Sequence, residues 1–479
     1  MSELDVLVVG GGISGLAIAH SLARSGIAVE VWEGAERVGG KIRTVEKDGY
    51  RLECAASMVM NFRSEVNPFL RTAGLESSKR ARAPTATRYV LDADRLVEVP
   101  SGLGDLLRTP LFSTLGKLRL LAEPLMPRGR NPHESVAEFV TRRLGREFLE
   151  KVFEPYVAGP LASDVDLAEA RATMPRLTAL EKRYGSLALG ALLRKVGRRG
   201  SGGCPEVFSF DGGMATLPEI LARQGGFRVR DKLQVSEVWP VSGGWMTRGV
   251  GGDTPRVAFS RQLVLSIPAD AAAGLVKGLD AELARELRAV EYAPVNVVHT
   301  GFDRTKIRHP LNGSGFLVPR RSGFAPNGCL WMSSLFPDHA PEGRVLLSSY
   351  LGGARNPAAA SWDAARALDA VMRMLRAVLG ITVEPDMLHI ESHARALPLY
   401  HGAYSQTLAA MDRRLAVLPG LYLEANYKGG VSVRDRILCA DQVARRILRH
   451  RECVMSRKST PAPGLGGVQH IVSVPATIR

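Results

Sequence analysis

The chain has 479 residues, of which 45% are hydrophobic and 6% aromatic, and its formal net charge at pH 7 is +15. It is long enough for about two or three domains, it contains no apolar run of the roughly 18 residues that span a membrane, and its N-terminus does not resemble a secretory signal. The charge is dispersed and no nucleic-acid-binding motif accompanies it, which favours anionic lipid or a polycarboxylate substrate, or a basic surface that only reflects codon usage.

The first predicted elements form a dinucleotide-binding unit. Residues 4–9 are an apolar run that predicts a strand, Gly10, Gly12 and Gly15 follow it and open a helix, and Glu33 ends the next apolar run at 28–32. The first glycine permits a tight turn, the second lets the backbone approach a pyrophosphate, and the third lets the helix pack closely on the strand. The acid can accept a hydrogen bond from a ribose hydroxyl. A glycine-rich turn without a ligand is the alternative.

A second glycine loop follows the acid directly. Residues 37–44 read Arg-Val-Gly-Gly-Lys-Ile-Arg-Thr. Such a basic loop can fold back over a pyrophosphate and bring its backbone close to a flavin. A solvated basic turn is the alternative, since Lys and Arg are usually exposed.

The central part of the chain has a different pattern of residues. Residues 88–100 alternate around Asp92–Asp94 and predict a hairpin. Helical patterns dominate residues 103–196, where Ser135 and Glu138 have capping-box spacing. Apolar helical faces in this region favour core packing over membrane contact; they are formed by Leu103, Leu106, Leu107, Leu118, Leu121 and Leu125.

Strands resume near residues 227–238 and 262–267, and short strand-like runs separated by Pro and Gly turns fill residues 292–400, with a helix near 362–379. This antiparallel region suits a substrate-binding sheet. Residues 419–433 predict a strand followed by a turn of small residues, and residues 434–448 predict a helix. This arrangement would direct the N-terminus of the helix toward an electron-rich group. The Pro- and Gly-rich tail over 455–479 predicts disorder.

The cysteines are odd in number and scattered, without Cys-x-x-Cys spacing, which argues against a disulfide framework or a zinc site and predicts a reducing compartment. His389 and His393 have the spacing of metal ligands but lack companion residues nearby in sequence, so we predict structural roles for them and no metal. The five cysteines are Cys54, Cys204, Cys329, Cys439 and Cys453.

Several blocks in order resemble the protoporphyrinogen oxidase family of the FAD-dependent amine oxidase and phytoene desaturase superfamily. Besides the two glycine loops, they are residues 156–159, 174–177, 180–186, 212–218, 315–319, 336–337, 352–353 and 426–437. The resemblance implies an FAD enzyme that removes six electrons from protoporphyrinogen IX in two-electron steps, with oxygen as acceptor, in heme biosynthesis. No general base is evident, and direct hydride transfer to a flavin needs none.

The resemblance also implies a fold and its boundaries. It is α/β, with a Rossmann-like FAD-binding domain (1–60, 204–290 and 400–450) interleaved with an α+β substrate domain (61–100 and 291–399). Residues 101–203 would form a helical insertion that resembles the membrane-associating region of the family. We expect a cytoplasmic location. Contact with the inner membrane face and assembly into a homodimer are left open.

Residue by residue, the resemblance implies two sets of contacts. The FAD contacts would be Gly10, Gly11, Gly12, Ile13, Ser14, Gly15, Glu33, Gly34, Arg37, Gly40, Lys41, Arg43, Ala55, Ala56, Ser57, Met58, Val235, Asn426, Val431, Ser432 and Val433. A propionate of the substrate would meet Arg88, whose guanidinium grips a carboxylate in a bidentate manner. The pocket around the tetrapyrrole would include Gly159, Leu317, Leu330 and Tyr350, for which core packing is the alternative.

The chain departs from the family beside the flavin. The usual Glu-x-Gly-Pro followed by Asn or Arg is replaced by Glu53-Cys54-Ala55-Ala56-Ser57. The usual Gly before the C-terminal Asn is Ala425, Tyr350 replaces a Phe and Ser163 stands where Gly is common. Three alternatives therefore stay open: oxidation of coproporphyrinogen III to coproporphyrin III, oxidation of another polycyclic substrate, and a redox-inactive flavin-fold binding protein.

Overall fold

The structure is a computed structural model, and it describes residues 3–62, 64–83, 87–100, 102–196, 206–252 and 254–459. Its strands are β1 Glu3–Val9, β2 Val29–Trp32, β3 Thr44–Lys47, β4 Tyr50–Glu53, β5 Val59–Asn61, β6 Lys79–Ala81, β7 Thr87–Asp92, β8 Arg95–Glu98, β9 Glu206–Phe210, β10 Arg228–Arg230, β11 Gln234–Val241, β12 Gly244–Gly251, β13 Thr254–Leu265, β14 Tyr292–Asp303, β15 Gly313–Leu317, β16 Gly328–Trp331, β17 Arg344–Gly352, β18 Met387–Pro398 and β19 Leu421–Leu423.

The α-helices alternate with these strands and form the insertion between β8 and β9. They are α1 Ile13–Ala23, α2 Asn67–Thr72, α3 Leu103–Arg108, α4 Thr114–Leu121, α5 Val136–Leu144, α6 Arg146–Phe148, α7 Glu154–Ala158, α8 Ala170–Thr173, α9 Pro175–Tyr184, α10 Leu187–Val196, α11 Thr216–Gln224, α12 Ala269–Val276, α13 Ala281–Arg288, α14 Met332–Leu335, α15 Ala364–Leu379, α16 Tyr404–Ala416 and α17 Val433–Ser459.

The first sheet has the order β10-β2-β1-β13-β12-β11, with β19 beside β13. The pairs β10–β2, β2–β1, β1–β13 and β13–β19 are parallel, whereas β11, β12 and the first half of β13 are antiparallel. Helices α1 and α17 cover one face, and α12, α13 and α16 cover the other. Because both faces are covered, β1 is an apolar run rather than an alternating one.

The second sheet has the order β18-β14-β17-β16-β15-β7-β8 and is antiparallel except for the β7–β15 pair. Helix α15, capped by Asp363 and ended by Gly380 in the left-handed region, packs on one face. The predicted hairpin is confirmed as β7–β8. One of the short strand-like runs predicted within residues 292–400 covers 330–332, and this prediction is wrong at Met332, because β16 ends at Trp331 and Met332 begins α14. The chain therefore has the mixed α/β fold that the sequence predicts.

The helical insertion is built around a buried carboxylate. Glu123 accepts hydrogen bonds from Ser186 Oγ (2.6 Å) and the Leu187 and Ala188 amides (2.9 and 3.0 Å), and pairs with the fully buried Arg143. Burial opposes its ionisation, but these donors outweigh it and lower the pKa of Glu123. The contact orients the start of α10. The predicted capping box of α5 is confirmed.

The prediction that the leucine faces of the insertion pack in the core is wrong for most of them. Leucines of α3, α4 and α10 and of the turn after α4 remain exposed, and we call them the leucine surface. Its members are Leu107, Leu115, Leu118, Leu121, Leu125, Leu189, Leu192 and Leu193. The side chain of Leu103 lies outside the described part of the chain. Leu106 is half-buried. Among the described residues, none of the helices has the length and apolarity needed to cross a bilayer.

Helix α17 extends to Ser459, beyond the predicted end at 448. It therefore includes residues 455–459 of the tail that the sequence predicts to be disordered. Residues 460–479 lie outside the described part of the chain.

Glu53 ties three segments together at the end of β4. Its buried carboxyl accepts hydrogen bonds from Thr44 Oγ1 (2.9 Å) on β3 and from the Met214 amide (2.8 Å), and Thr44 accepts one from the Ala215 amide (3.0 Å). Burial raises the pKa of Glu53 to about 8, although both donors favour the charged form. The folded chain therefore holds this proton more tightly than the unfolded chain does.

This raised pKa predicts a pH-dependent contribution to stability. An unfolded Glu loses its proton near pH 4.5, so the stabilisation is complete below that pH and is lost as the pH rises through about 8. Glu53→Gln removes the titration and keeps an acceptor oxygen. We expect the melting temperature of the wild type to fall by about a few degrees more than that of Glu53→Gln between the two ends of this window. Parallel pH profiles at equal flavin content would contradict the assignment.

Candidate functional site

The turn after β1 requires glycine at two positions. Gly10 has a φ of +107°, and a Cβ there would lie 2.4 Å from the Ser266 carbonyl oxygen. A Cβ on Gly15 would lie 2.1 Å from the Gly10 carbonyl oxygen. Both distances are far below contact, so the tight turn and the close packing of α1 depend on missing side chains.

The space in front of this turn suits an anion. A Cβ on Gly12 would meet nothing within 4 Å. Gly12 is the N-cap of α1, whose first turn, with Ile13 and the buried Ser14 and Gly15, contains no acidic residue. The amides of the first turn of a helix have no partner within the helix, so they and the helix dipole direct positive potential into this open space.

Glu33 lies at the carboxyl end of β2, against the same turn. Its Oε2 accepts a hydrogen bond from the Gly11 amide (2.6 Å) and its Oε1 accepts one from the Ala35 amide (2.8 Å). Each oxygen keeps a free lone pair for a further donor. The main chain of Glu33 also pairs with that of Leu233 (2.8 Å), two residues before the buried Val235.

Gly34 lies next to Gln234 at the start of β11, since a Cβ on Gly34 would lie 2.2 Å from Gln234 Oε1. The predicted contacts Glu33, Gly34 and Val235 therefore form one corner, where β2 meets the start of β11. This corner belongs to the first sheet and lies apart from the residues predicted for the substrate.

The second glycine loop packs directly on the first. The Gly39 amide donates to the Gly11 carbonyl (2.8 Å), and Gly12 and Gly39 form a parallel bridge. The Arg37 guanidinium donates to the Gly40 carbonyl (2.8 Å) and to those of Val38 and Ile42 (both 3.1 Å). In this structure Arg37 closes its own loop.

The two other cations of this loop extend to the second sheet. Lys41 Nζ donates to the Ala396 carbonyl on β18 (2.7 Å), and burial, helped by nearby Arg395, lowers the pKa of Lys41 to about 8. Arg43 lies 3.6 Å from Glu391 on the same strand. The loop thus joins the first glycine turn to the second sheet.

Residues 55–58, where the chain departs from the family pattern, connect β4 to β5. Ala55, Ala56 and Met58 are half-buried, and Ser57 is buried with its hydroxyl 3.2 Å from the Tyr350 hydroxyl. Burial raises the pKa of Tyr350 to about 12, so this phenol is neutral at physiological pH. The departure therefore adds a polar link between this segment and β17.

The C-terminal turn before α17 depends on a buried cation. Arg436 donates to Glu424 Oε1 and to the Ala425 carbonyl (both 2.6 Å), and also to the Lys428 carbonyl. Burial raises the pKa of Glu424 to about 7, and the charge of Arg436 opposes this rise. Sequence reasoning missed Arg436; the only signal was a charged residue on the apolar face that includes Val433.

Four residues of this turn are predicted to contact FAD. Asn426, Val431 and Ser432 are half-buried, and Val433 is buried. The Asn426 carbonyl accepts from the Tyr400 hydroxyl (2.8 Å). Ser432 precedes α17, and its hydroxyl accepts from the Asp435 amide (3.2 Å). The α17 N-terminus is therefore held by a side-chain cap.

The residues predicted for the substrate share one face of the second sheet. Across the strands, Arg88 pairs with Gly315 and Gly315 with Leu330, whereas Leu317 pairs with Gly328 and Gly328 with Tyr350. Opposite partners and alternate residues lie on one face. The intervening residues face α15 in the core. A Cβ on Gly159 would lie 2.9 Å from Leu317 Cδ2, so α7 ends against this face.

Arg88 is a solvent-accessible cation on this face. Desolvation by the surrounding protein lowers the pKa of its guanidinium, and the charge of nearby Arg82 lowers it further. Over the ranges that the structure describes, no carboxylate pairs with Arg88, which leaves its donors available for an anionic ligand.

These residues fit FAD. The glycine turns leave an open space before a helix N-terminus for a pyrophosphate, Glu33 presents acceptors to ribose hydroxyls, and residues 55–58 reach the second sheet through the contact of Ser57 with Tyr350. The remaining face of that sheet combines apolar side chains with one unpaired cation, which suits a large apolar ligand that bears a carboxylate.

Comparison with known proteins supports a flavoenzyme. A sequence model of the flavin containing amine oxidoreductase family matches residues 13–448. The chloroplastic protoporphyrinogen oxidase of Nicotiana tabacum is 32% identical over 92% of this chain and 85% of the relative. The mitochondrial enzyme of the same plant is 29% identical over 95% of this chain and 96% of the relative. The coproporphyrinogen III oxidase of Bacillus subtilis (strain 168) is 28% identical over 91% and 96%.

Solved structures share the fold. A crystal structure of a protoporphyrinogen oxidase candidate from Exiguobacterium sp. 255-15 matches with a TM-score of 0.75 at 23% identity and covers 94% of this chain and 100% of its own. Cyclohexylamine oxidase from Brevibacterium oxydans matches with a TM-score of 0.66 at 15% identity and covers 94% and 100%. The chain belongs to the flavin containing amine oxidoreductase family, in the group that includes the protoporphyrinogen oxidases, and is an FAD-dependent oxidoreductase.

Proposed function

We propose that this enzyme oxidises protoporphyrinogen IX to protoporphyrin IX in heme biosynthesis, with oxygen as the electron acceptor. The observation that carries the proposal is the shared sheet face, where Leu317, Leu330 and Tyr350 lie beside the unpaired Arg88. A porphyrinogen combines a large apolar ring with carboxylates at its rim and matches this pattern. The names of the plant relatives support the same substrate.

Bound FAD would supply the two-electron acceptor. Each hydride and proton removed from the substrate would finally reduce one oxygen molecule to hydrogen peroxide. The protein's own contribution is placement. Arg88 would hold a propionate, Leu317 and Leu330 would contact the ring, and Ser57 and Tyr350 would close the pocket next to the flavin. The proposed roles need no general base, because orientation and exclusion of water suffice for direct hydride transfer.

The same proposal assigns FAD contacts to the loops described above. The pyrophosphate would meet Gly10–Gly15 and residues Gly40, Lys41 and Arg43, the adenosine would meet Glu33, Gly34 and Val235, and the isoalloxazine would meet residues 55–58 and 431–433 with Asn426. Arg37, which bonds to its own loop in this structure, would act by holding that loop in shape. It is a positioning residue in this proposal.

Coproporphyrinogen III is a second candidate substrate. The coproporphyrinogen III oxidases of Bacillus subtilis (strain 168) and Staphylococcus aureus are 28% and 25% identical to this chain. This substrate has more carboxylates and would need more cations around the pocket. Arg82, which influences the pKa of Arg88 by repulsion, is a cation on that side of the site.

Membrane contact and a homodimer stay predictions. The leucine surface of α3, α4 and α10 is the part of the described chain that we propose for contact at the inner membrane face, since exposed apolar patches with basic neighbours favour anionic bilayers. Sedimentation with anionic vesicles would test it. A cytoplasmic location is part of the same proposal.

An anaerobic half-reaction tests the substrate. The holoenzyme is mixed with protoporphyrinogen IX and, separately, with coproporphyrinogen III, and the oxidised flavin absorbance is followed before air is admitted. We expect faster bleaching with protoporphyrinogen IX, then porphyrin fluorescence and peroxide in air. Faster bleaching by coproporphyrinogen III would select the second candidate. A flavin that neither substrate reduces would reject both.

Gly15→Ala tests the placement of the pyrophosphate. The added Cβ would displace the Gly10 carbonyl, which it approaches to 2.1 Å, so the glycine turn must open. We expect FAD affinity to fall by about tenfold or more, a loss of about 1.4 kcal/mol. The matched control is Gly274→Ala in α12, where a Cβ meets nothing within 4 Å. Equal flavin affinity in both variants would place the pyrophosphate elsewhere.

Arg88→Ala tests the carboxylate contact. Loss of a charge-assisted contact of about 1.5–3 kcal/mol should raise KM for the porphyrinogen by about tenfold or more and change kcat less. Arg88→Lys should restore part of the affinity through its charge. The control is Arg95→Ala, an exposed cation on the adjacent strand β8. An unchanged KM in Arg88→Ala would remove this residue from the pocket.

A further inference from the structure

Three potential metal ligands lie together beside the proposed flavin wall. The Cys54 thiol, the His389 imidazole and the Glu391 carboxylate each offer one ligand atom, and these atoms all lie within 4.8 Å of one another. They come from two distant parts of the chain, 335 residues apart. None of them takes part in the proposed oxidation.

The fold holds these side chains in place from both sides. His389 and Glu391 alternate on β18 and therefore lie on the same face of the second sheet. Cys54 follows the last residue of β4, and its carbonyl lies 2.8 Å from His393 Nε2 on the same strand β18. The Cys54 main chain is thus fixed against the strand that bears the other two ligands.

One atom of the cluster lacks a partner. His389 Nε2 is buried and has no hydrogen-bond partner in the part of the chain that the structure describes, although it lies 3.5 Å from Glu391 Oε2. A buried polar nitrogen without a partner costs free energy. Arg43 lies 3.6 Å from the other oxygen of Glu391, Oε1, and so leaves Oε2 available.

We propose that Cys54, His389 and Glu391 bind a zinc ion. Thiolate, imidazole and carboxylate together suit Zn²⁺, which accepts three protein ligands and a water molecule at about 2.0–2.3 Å. Ligand atoms of such a tetrahedral site lie roughly 3.3–3.8 Å apart, so small side-chain rotations close the cluster. Binding breaks the S–H bond of Cys54, whose proton passes to solvent. Lone pairs of sulfur, nitrogen and oxygen fill the coordination sphere without any redox change.

The position of the site gives the metal a structural consequence. Cys54 directly precedes residues 55–57, which line the proposed flavin site, and β18 belongs to the sheet that carries the proposed substrate face. A bound ion would join the segment after β4 to β18 of the second sheet. We therefore expect Zn²⁺ to raise the melting temperature of the holoenzyme.

The test uses the untagged holoenzyme, because a polyhistidine tag would itself bind metal. Dialysed protein is titrated with Zn²⁺ against a chromophoric chelator, and with Co²⁺ while absorbance is recorded at wavelengths longer than the flavin bands. We expect about one Zn²⁺ per chain and intense bands from tetrahedral Co²⁺. Cys54→Ser and Glu391→Gln should weaken binding by about tenfold or more.

Cys439→Ser is the matched control, since Cys439 is a free, half-buried thiol outside the cluster. Flavin content and melting temperature show whether each variant folds. If Cys54→Ser does not fold, Glu391→Gln still tests the proposal. Wild type that takes up no Zn²⁺, or Zn²⁺ affinity that is equal in the wild type and both cluster variants, would overturn the proposal.

Discussion

The direct contact between two glycine turns is the constraint on which the rest of the site depends. The Gly39 amide bonds to the Gly11 carbonyl, and Gly10 and Gly15 leave no room for side chains between β1, α1 and β13. A hydrogen-bonded backbone contact of this kind fixes the position of both loops at once. As a result, the start of α1 and the Glu33 carboxylate lie at one turn, whereas Lys41 and Arg43 of the second loop extend from it to β18.

Side chains from the second glycine loop and from residues 55–58 hold the second sheet in position. Lys41 bonds to Ala396 on β18, and Ser57 lies against Tyr350 on β17. At the other end, Arg436 holds the C-terminal turn by binding Glu424 and two carbonyl oxygens in the interior. The Lys41 and Ser57 links are partly buried, where unmet hydrogen bonds are costly, so they help to hold the second sheet against the glycine loop and residues 55–58.

Local sequence pattern predicted much of this arrangement. The tight turn at Gly10 and the close packing at Gly15 could be predicted because turn geometry depends on residues close in sequence, whereas the FAD contacts of Gly12 and Glu33 stay predictions. The α5 capping box and the β7–β8 hairpin were predicted for the same reason. Leu118 and Leu125 were predicted wrongly, because an apolar helix face shows only that burial would be favourable and not whether another element covers it. The role of Arg37 within its own loop could not be read from its charge.

The sequence by itself determined the fold class and the glycine turns, and its family blocks identified an FAD enzyme. Only the tertiary structure decided which side chains share a surface. Arg88, Leu330 and Tyr350 lie on one face because strand register aligns them across four strands, and no pattern along the chain records that register. Cys54 and His389 meet because the segment after β4 packs against β18. Contacts between residues hundreds of positions apart depend on how whole sheets pack, which is a property of the folded chain.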